Sequence, residues 1–176
     1  MELLDLYDYQ RRPTGKTMVR GDEHPEGMYP PVVHIVIFRP DGRMLIQQRQ
    51  SFKKGWPNYW DISVGGSAQT GEDSPTAAMR ETREELGLTV DLTGRRPTLT
   101  NCSGGAFDDI YILELPVELS ELRLQPEEVQ SAAFATQEEI FAMIDDGRFI
   151  PYLKSFIMLL FDLHRRGGMV DCSKKK

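Results

Sequence analysis

Gly66-Ser67-Ala68-Gln69-Thr70-Gly71-Glu72 is followed, seven residues on, by Arg80-Glu81-Thr82-Arg83-Glu84-Glu85-Leu86-Gly87-Leu88. The spacing predicts a helix on which Glu81, Glu84 and Glu85 fall at i, i+3 and i+4, and so share one face. Left alone, Glu81 and Glu85 would repel each other by roughly 0.2–0.5 kcal/mol. A cation between them turns that cost into affinity, and clustered carboxylate oxygens suit a hard ion such as Mg²⁺ or Mn²⁺. A helix of glutamates and arginines is by itself an ordinary solvated surface, with Arg80–Glu84 a favourable i,i+4 pair. The loop ahead of it shifts the balance. Gly65-Gly66 and Gly71 allow a tight turn and a close approach of peptide groups to a ligand, as a phosphate-binding loop before a helix requires. Glu72 is placed to reach Arg80 across the helix start and hold the loop against the helix.

Outward from this helix, the expected span is Pro75 to Leu86, with Ser74 as N-cap, Pro75 at the first helical position and Gly87 as the left-handed terminator. Upstream, the β-branched run Val32–Phe38, a turn at Pro40-Asp41-Gly42 and the run Met44–Arg49 read as a hairpin. A short strand is expected at Asp61–Val64. The first 31 residues read as a hairpin extension, with strands on either side of a turn at Pro13-Thr14-Gly15. Downstream, strands are expected near Leu92–Arg96, Ile110–Leu115 and Ala132–Ala135. Thr136 with Glu139 forms a capping box opening a second helix that Gly147 closes. An apolar third helix covers roughly Tyr152–Arg165, as core or as the face of a homodimer. The order predicts an α+β or α/β sandwich with a mixed sheet, one domain over 1–166, and a disordered tail over 167–176.

Composition narrows the function. The chain has 176 residues, 40% apolar and 27% charged, an ordinary globular balance. Its net charge of −6 argues against broad nucleic-acid binding, which needs a cationic face. Cys102 and Cys172 lie far apart and match no zinc or disulfide spacing, so free thiols in a reducing compartment are expected. The N-terminus lacks the pattern of a signal peptide, and the apolar run Phe156–Phe161 is too short to cross a bilayer. A cytoplasmic protein without membrane contact is the expectation.

The segment Gly66–Leu88 resembles the signature of the Nudix hydrolases, G-x5-E-x7-R-E-U-x-E-E-x-G-U with U a bulky aliphatic residue. Seven fixed positions at usages of about 5–7% each would coincide by chance at on the order of 10⁻⁹ per starting point, so the match is specific. The single departure is Thr82, where the family prefers an aliphatic side chain. A threonine there can bond back to the Ala78 carbonyl. The resemblance implies a Nudix-type α/β/α sandwich in which Glu81, Glu84 and Glu85, with a loop carbonyl assigned to Gly66, ligate Mg²⁺ or Mn²⁺. Arg80 and Glu72 then orient the others. The implied reaction is attack by activated water on one phosphorus of a small diphosphate.

Arg49-Gln50-Ser51-Phe52-Lys53-Lys54-Gly55-Trp56-Pro57-Asn58-Tyr59-Trp60 resembles a stretch of the isopentenyl-diphosphate isomerases, a Nudix-fold family, and implies that Arg49 and Lys53 bind the substrate's diphosphate. The alternative is a solvated basic loop with Trp56 and Trp60 in the core. The isomerase's catalytic cysteine and metal-binding histidine are matched here by Gly65 and Ser67, so a hydrolase of the isomerase-like branch is the better description. The resemblance implies a pocket for small diphosphates such as nucleoside diphosphates, with sugar nucleotides, dinucleotides and capped RNA left open; the alternatives are an isomerase-like enzyme and a catalytically silent nucleotide-binding module. Asp108, Asp109, Glu127 and Glu128 are candidates for a general base outside the helix. His34, inside an apolar strand, reads as a core histidine.

Overall fold

A computed structural model describes residues 2–168. Its strands are β1 (Leu3–Tyr7), β2 (Pro13–Val19), β3 (Pro31–Phe38), β4 (Met44–Arg49), β5 (Trp60–Asp61), β6 (Val64–Ser67), β7 (Leu99–Ser103), β8 (Ala106–Glu114) and β9 (Val129–Ala135). Its helices are α1 (Ser74–Leu86), α2 (Gln137–Asp145) and α3 (Lys154–Arg166). β1 and β2 form a two-stranded sheet. The other seven form a sheet of order β5-β4-β3-β8-β7, in which β6 also pairs with β3 and β9 with β4. This bears out the expected α/β class. The chain divides into two compact units, Met1–Ile35 with Val64–Tyr111, and Val36–Ser63 with Ile112–Lys176.

The first unit carries the glutamate helix. In the β1–β2 hairpin, alternate residues Leu4 and Leu6 are buried with Met18, and Met28 packs against them. The hairpin turn is not at Pro13–Gly15, which belong to β2. It lies at Asp8–Arg12, where Asp8 accepts from the Arg12 amide at 2.9 Å, a side-chain-closed turn that frees Pro13 to start a strand. β6 lies antiparallel to β3 with Val33 opposite Gly66 and His34 opposite Gly65. Helix α1 is capped by Asp73 rather than Ser74: Asp73 Oδ1 accepts from the Thr76 amide at 3.0 Å. The Ser74 hydroxyl instead shares a 2.9 Å bond with the Tyr111 hydroxyl. Gly87 closes α1 at φ 72°, as expected.

No strand forms at Leu92–Arg96. Asp91 accepts from the Thr93 amide at 2.9 Å and Gly94 takes φ 69°, so the segment turns. β8 starts at Ala106, four residues earlier than expected, because Gly104 and Gly105 take φ 63° and 89° and make the two-residue turn of a β7–β8 hairpin.

In the second unit the expected hairpin forms at Gly42 (φ 83°), with Phe38 opposite Met44. The strand expected at 61–64 is not continuous: β5 ends at Asp61 and β6 begins at Val64. Ser63 leaves the strand path because its buried hydroxyl donates to the Leu45 carbonyl at 2.6 Å and accepts from the Ile37 amide at 2.8 Å. β4 lies between β5 and β9. Thr136 and Glu139 make the reciprocal capping box on α2. α3 buries Ile157, Leu160 and Phe161, with Phe161 edge-on to Phe38. Among the described residues no helix is long and apolar enough to cross a membrane. Of the expected tail, Gly167 caps α3 at φ 62°; residues 169–176 lie outside the described residues.

Candidate active site

Six residues of α1 are buried, and two of them are Glu81 and Glu85. Burying carboxylates on the core side of a helix is costly unless chemistry requires it. Helix periodicity puts both on one stripe, and the other four buried residues are Ala77, Ala78, Thr82 and Leu86. Thr82 Oγ1 donates to the Ala78 carbonyl at 2.7 Å, so a polar residue is satisfied within its own helix where the signature has an aliphatic one.

Arg80 organises the acids. Its Nε and Nη2 donate to the two Glu72 oxygens at 2.8 and 2.9 Å, and Nη2 also reaches the Ser67 carbonyl at 3.0 Å. Nη1 lies 3.0 Å from Glu81 Oε1 and donates to Glu84 Oε2 at 3.0 Å. One guanidinium thus ties β6, the loop and three acids together. Its pKa is raised, chiefly by the hydrogen bonds to Glu72. Burial pushes the Glu72 carboxyl up, but bonds from Arg80 and the Gln69 amide outweigh it and leave it below the usual range. Burial pushes the Glu81 carboxyl up, with the charges of Arg80 and Arg20 opposing.

The glycines before α1 serve different ends. Gly71, at φ 85°, makes the turn. Gly65 and Gly66 are extended strand residues, not part of the turn. A Cβ on Gly66 would lie 2.1 Å from Glu81 Cδ and Oε1, so Gly66 is required by the close approach of that carboxylate. Gly66→Ala is expected to push Glu81 out of place and to lower kcat at least about 10-fold, the scale seen when a ligand loses its support; steady-state kinetics checks it. The Ala68 amide donates to the Pro31 carbonyl at 3.0 Å, which fixes the phase of the ladder: Val33 and Gly66 exchange bonds, whereas His34 and Gly65 do not. The carbonyl directed away from β3 is therefore that of Gly65, and the Gly66 carbonyl is turned towards Val33.

The structure brings Glu72, Arg80, Glu81 and Glu84 into contact and sets Glu85 on the buried stripe beside Glu81. Among the described residues no three His, Cys, Asp or Glu side chains already converge as a metal cluster. Arg80 Nη1 holds the positive charge between Glu81 and Glu84.

Arg49 and Lys53 belong to the second unit. Arg49 donates from Nε to the Gly55 carbonyl at 3.0 Å and lies 3.7 Å from Asp61 Oδ2, while Lys53 meets Glu128 at 2.5 Å. Trp56, three residues after Lys53, is 46% exposed at φ 51°, so it is not a core residue; Trp60 is half-buried.

The candidate bases separate. Asp109 is fully buried, gripped through both oxygens by Arg11 and bonded by Thr100 at 2.7 Å, a structural role. Glu128 is engaged by Lys53, and Glu127 is exposed. Asp108 lies 3.3 Å from His34 Nε2, and His34 is half-buried rather than a core residue. Arg11 and Arg20, neither part of a recognisable motif, were not distinguishable in the sequence from solvated arginines.

A NUDIX domain match spans residues 28–153. An uncharacterized Nudix hydrolase of Listeria monocytogenes is 47% identical over 93% of this chain and 95% of its own length. An isopentenyl-diphosphate Delta-isomerase of Cutibacterium acnes is 33% identical over 65% of this chain and 62% of its own. A crystal structure from Deinococcus radiodurans superposes with a TM-score of 0.73 at 25% identity, covering 90% of this chain and 97% of that one.

Proposed function

The chain belongs to the Nudix hydrolase family, which acts on pyrophosphate bonds, and within it we propose a divalent-metal-dependent hydrolase of small nucleoside-diphosphate-type substrates. The observation that carries this reading is the pair of buried glutamates, Glu81 and Glu85, on the α1 stripe beside a glycine strand.

The residues fit Mg²⁺ or Mn²⁺. Their donors are hard oxygens, and the missing Cβ at Gly66 leaves the space in which Glu81 sits. Glu81, Glu84 and Glu85 would hold the ion, with a carbonyl of the Gly65-Gly66 pair; the ladder phase favours Gly65 over the Gly66 assignment made from sequence. The ion would offset phosphoryl charge and lower the pKa of the attacking water. Arg80 sets the carboxylate orientations and Glu72 fixes Arg80. Arg49 and Lys53 are assigned to the diphosphate on the isomerase resemblance, with a fork and a point charge respectively. Isomerisation is disfavoured, since Gly65 offers no thiol. A reducing, cytoplasmic setting fits the free Cys102.

The test is a panel of nucleoside diphosphates, sugar nucleotides, dinucleotides and isopentenyl diphosphate, with product identification with and without EDTA. Cleavage at a phosphorus, abolished by EDTA and restored by Mg²⁺ or Mn²⁺, is expected. No turnover on any member by metal-loaded protein would overturn the proposal.

A further inference from the structure

Asp61, the last residue of β5 in the second unit, is a buried acid. Burying a carboxylate is costly unless hydrogen bonds and a counter-charge offset it. Its Oδ1 accepts from the Ile62 amide at 2.8 Å and from the Tyr152 hydroxyl at 2.9 Å. Its Oδ2 lies 3.7 Å from Arg49 Nη1. Tyr152 is itself held in place. Its amide donates to the Ile150 carbonyl at 2.7 Å, and its ring packs against Phe149 and Phe156 at centroid separations of 6.3 and 5.6 Å. One oxygen of Asp61 is thus fixed by two hydrogen bonds, and the other lies beside a guanidinium.

Arg49 is anchored on its own side by main chain. Its amide donates to the Tyr59 carbonyl at 2.9 Å, and its Nε donates to the Gly55 carbonyl at 3.0 Å. The 3.7 Å separation from Asp61 is an ion pair too long to be a hydrogen bond. Nη1 and Nη2 therefore make no hydrogen bond to the described residues. Asp61 attracts the guanidinium without using up its donors. The other candidate cations differ. Lys53 meets Glu128 directly at 2.5 Å, and Arg80 spends Nε, Nη1 and Nη2 on Glu72 and Glu84.

A guanidinium grips phosphate through two parallel N–H groups, so the orientation of its plane decides whether the grip forms. Two points set that plane here: the Gly55 carbonyl at Nε and the Asp61 carboxylate at Nη1. We propose that Asp61 is a positioning residue for diphosphate binding, which aims the Arg49 guanidinium at the substrate while Tyr152 holds Asp61 in place. This rests on the assignment of Arg49 to the diphosphate made above. The sign of the effect separates this role from mere proximity. An acid that only stood near a diphosphate would repel it, and neutralising that acid would tighten binding. Neutralising an acid that aims the arginine loosens binding.

Binding of methylenediphosphonate, a diphosphate that cannot be hydrolysed, is measured calorimetrically with Mg²⁺ present. The proteins are wild type, Arg49→Gln, Asp61→Asn, the double variant, Tyr152→Phe and Asp145→Asn, the last neutralising an exposed acid that pairs with Lys154. Arg49→Gln is expected to weaken binding about 10-fold or more, the scale of a lost charge-assisted bond. Asp61→Asn should weaken it about 5-fold or more, as a misaimed fork loses part of that bond. The double variant should bind within about twofold of Arg49→Gln alone, because Asp61 then has nothing to aim. Tyr152→Phe should give a smaller loss in the same direction, and Asp145→Asn should match wild type. On the best substrate of the panel, KM for Asp61→Asn should rise in step, with kcat within about twofold. Unchanged or tighter binding in Asp61→Asn, or no binding by wild type, overturns the proposal. So does an equal loss from Asp61→Asn in the Arg49→Gln background, which would make the two residues independent. If Asp61→Asn fails to fold, Tyr152→Phe decides: weaker binding supports the proposal and unchanged binding overturns it. No effect of Arg49→Gln overturns the Arg49 assignment and this proposal together, while EDTA-sensitive cleavage in the panel keeps the hydrolase reading. If wild type hydrolyses no member of the panel yet the two losses are coupled, the hydrolase reading fails and the positioning role stands.

Discussion

Glu85→Gln is expected to give a folded protein whose kcat/KM is lower than wild type by more than about 100-fold. The amide keeps the size and shape of the side chain, so the stripe it shares with Ala78 and Thr82 stays filled. What it removes is the negative charge a hard cation needs. Losing a group that merely supports a metal ligand costs 10–100-fold; losing a ligand should cost more. Far-ultraviolet circular dichroism and Tm establish that the fold survives, and steady-state kinetics at saturating Mg²⁺ gives the rate. Glu85 is 4% exposed. If it were only a buried structural acid, neutralising it would leave turnover intact and relieve a desolvation cost.

The largest stability effect is expected at Asp109→Asn, about 3 kcal/mol, or a fall in Tm of roughly 6–12 °C. Asp109 is wholly buried and joins three segments: Arg11 of the hairpin turn, Thr100 of β7 and its own strand β8. An asparagine keeps the volume but leaves Arg11 without its counter-charge. Burial pushes the Asp109 carboxyl up, yet the hydrogen bonds from Arg11, Ser74 and Thr100 outweigh it and hold it below the usual carboxylate value. A carboxyl lowered on folding stabilises fully above its unfolded value, about pH 4. That contribution is lost as pH falls below 4 towards the folded value. The gap between wild type and Asp109→Asn should therefore be widest at neutral pH and close on acidification, as read by denaturant unfolding at several pH values. A gap independent of pH would mean that the asparagine acts through packing alone.

What was legible in the sequence is what depends on short spacings. The i, i+3, i+4 set on α1, the Glu72–Arg80 link, the Thr82 back-bond, the Gly87 cap and the Thr136–Glu139 box each involve residues within one or two helical turns, and periodicity dictates them. Even there, two adjacent capping residues, Asp73 and Ser74, differ only in backbone geometry, and the structure chose Asp73. The β7–β8 hairpin was missed although Gly104-Gly105 marks its turn, because Leu99–Ser103 has no apolar alternation to announce a strand. The strand expected at Leu92–Arg96 yielded to a local side-chain bond from Asp91. Contacts spanning long separations left no trace: Arg11 and Asp109 are 98 residues apart. The use of Gly66 was legible as a need for glycine but not as its cause, which is a carboxylate 15 positions away, Glu81, pressed against it.

In the proposed function the acids of α1 hold a divalent cation. A Mn²⁺ titration followed by electron paramagnetic resonance, on wild type and on Glu84→Gln/Glu85→Gln, tests it without reference to any substrate. The expected result is Mn²⁺ bound by wild type, displaced by excess Mg²⁺, with affinity lower by more than about 100-fold in the double variant. Equal Mn²⁺ affinity in the two folded proteins would contradict it.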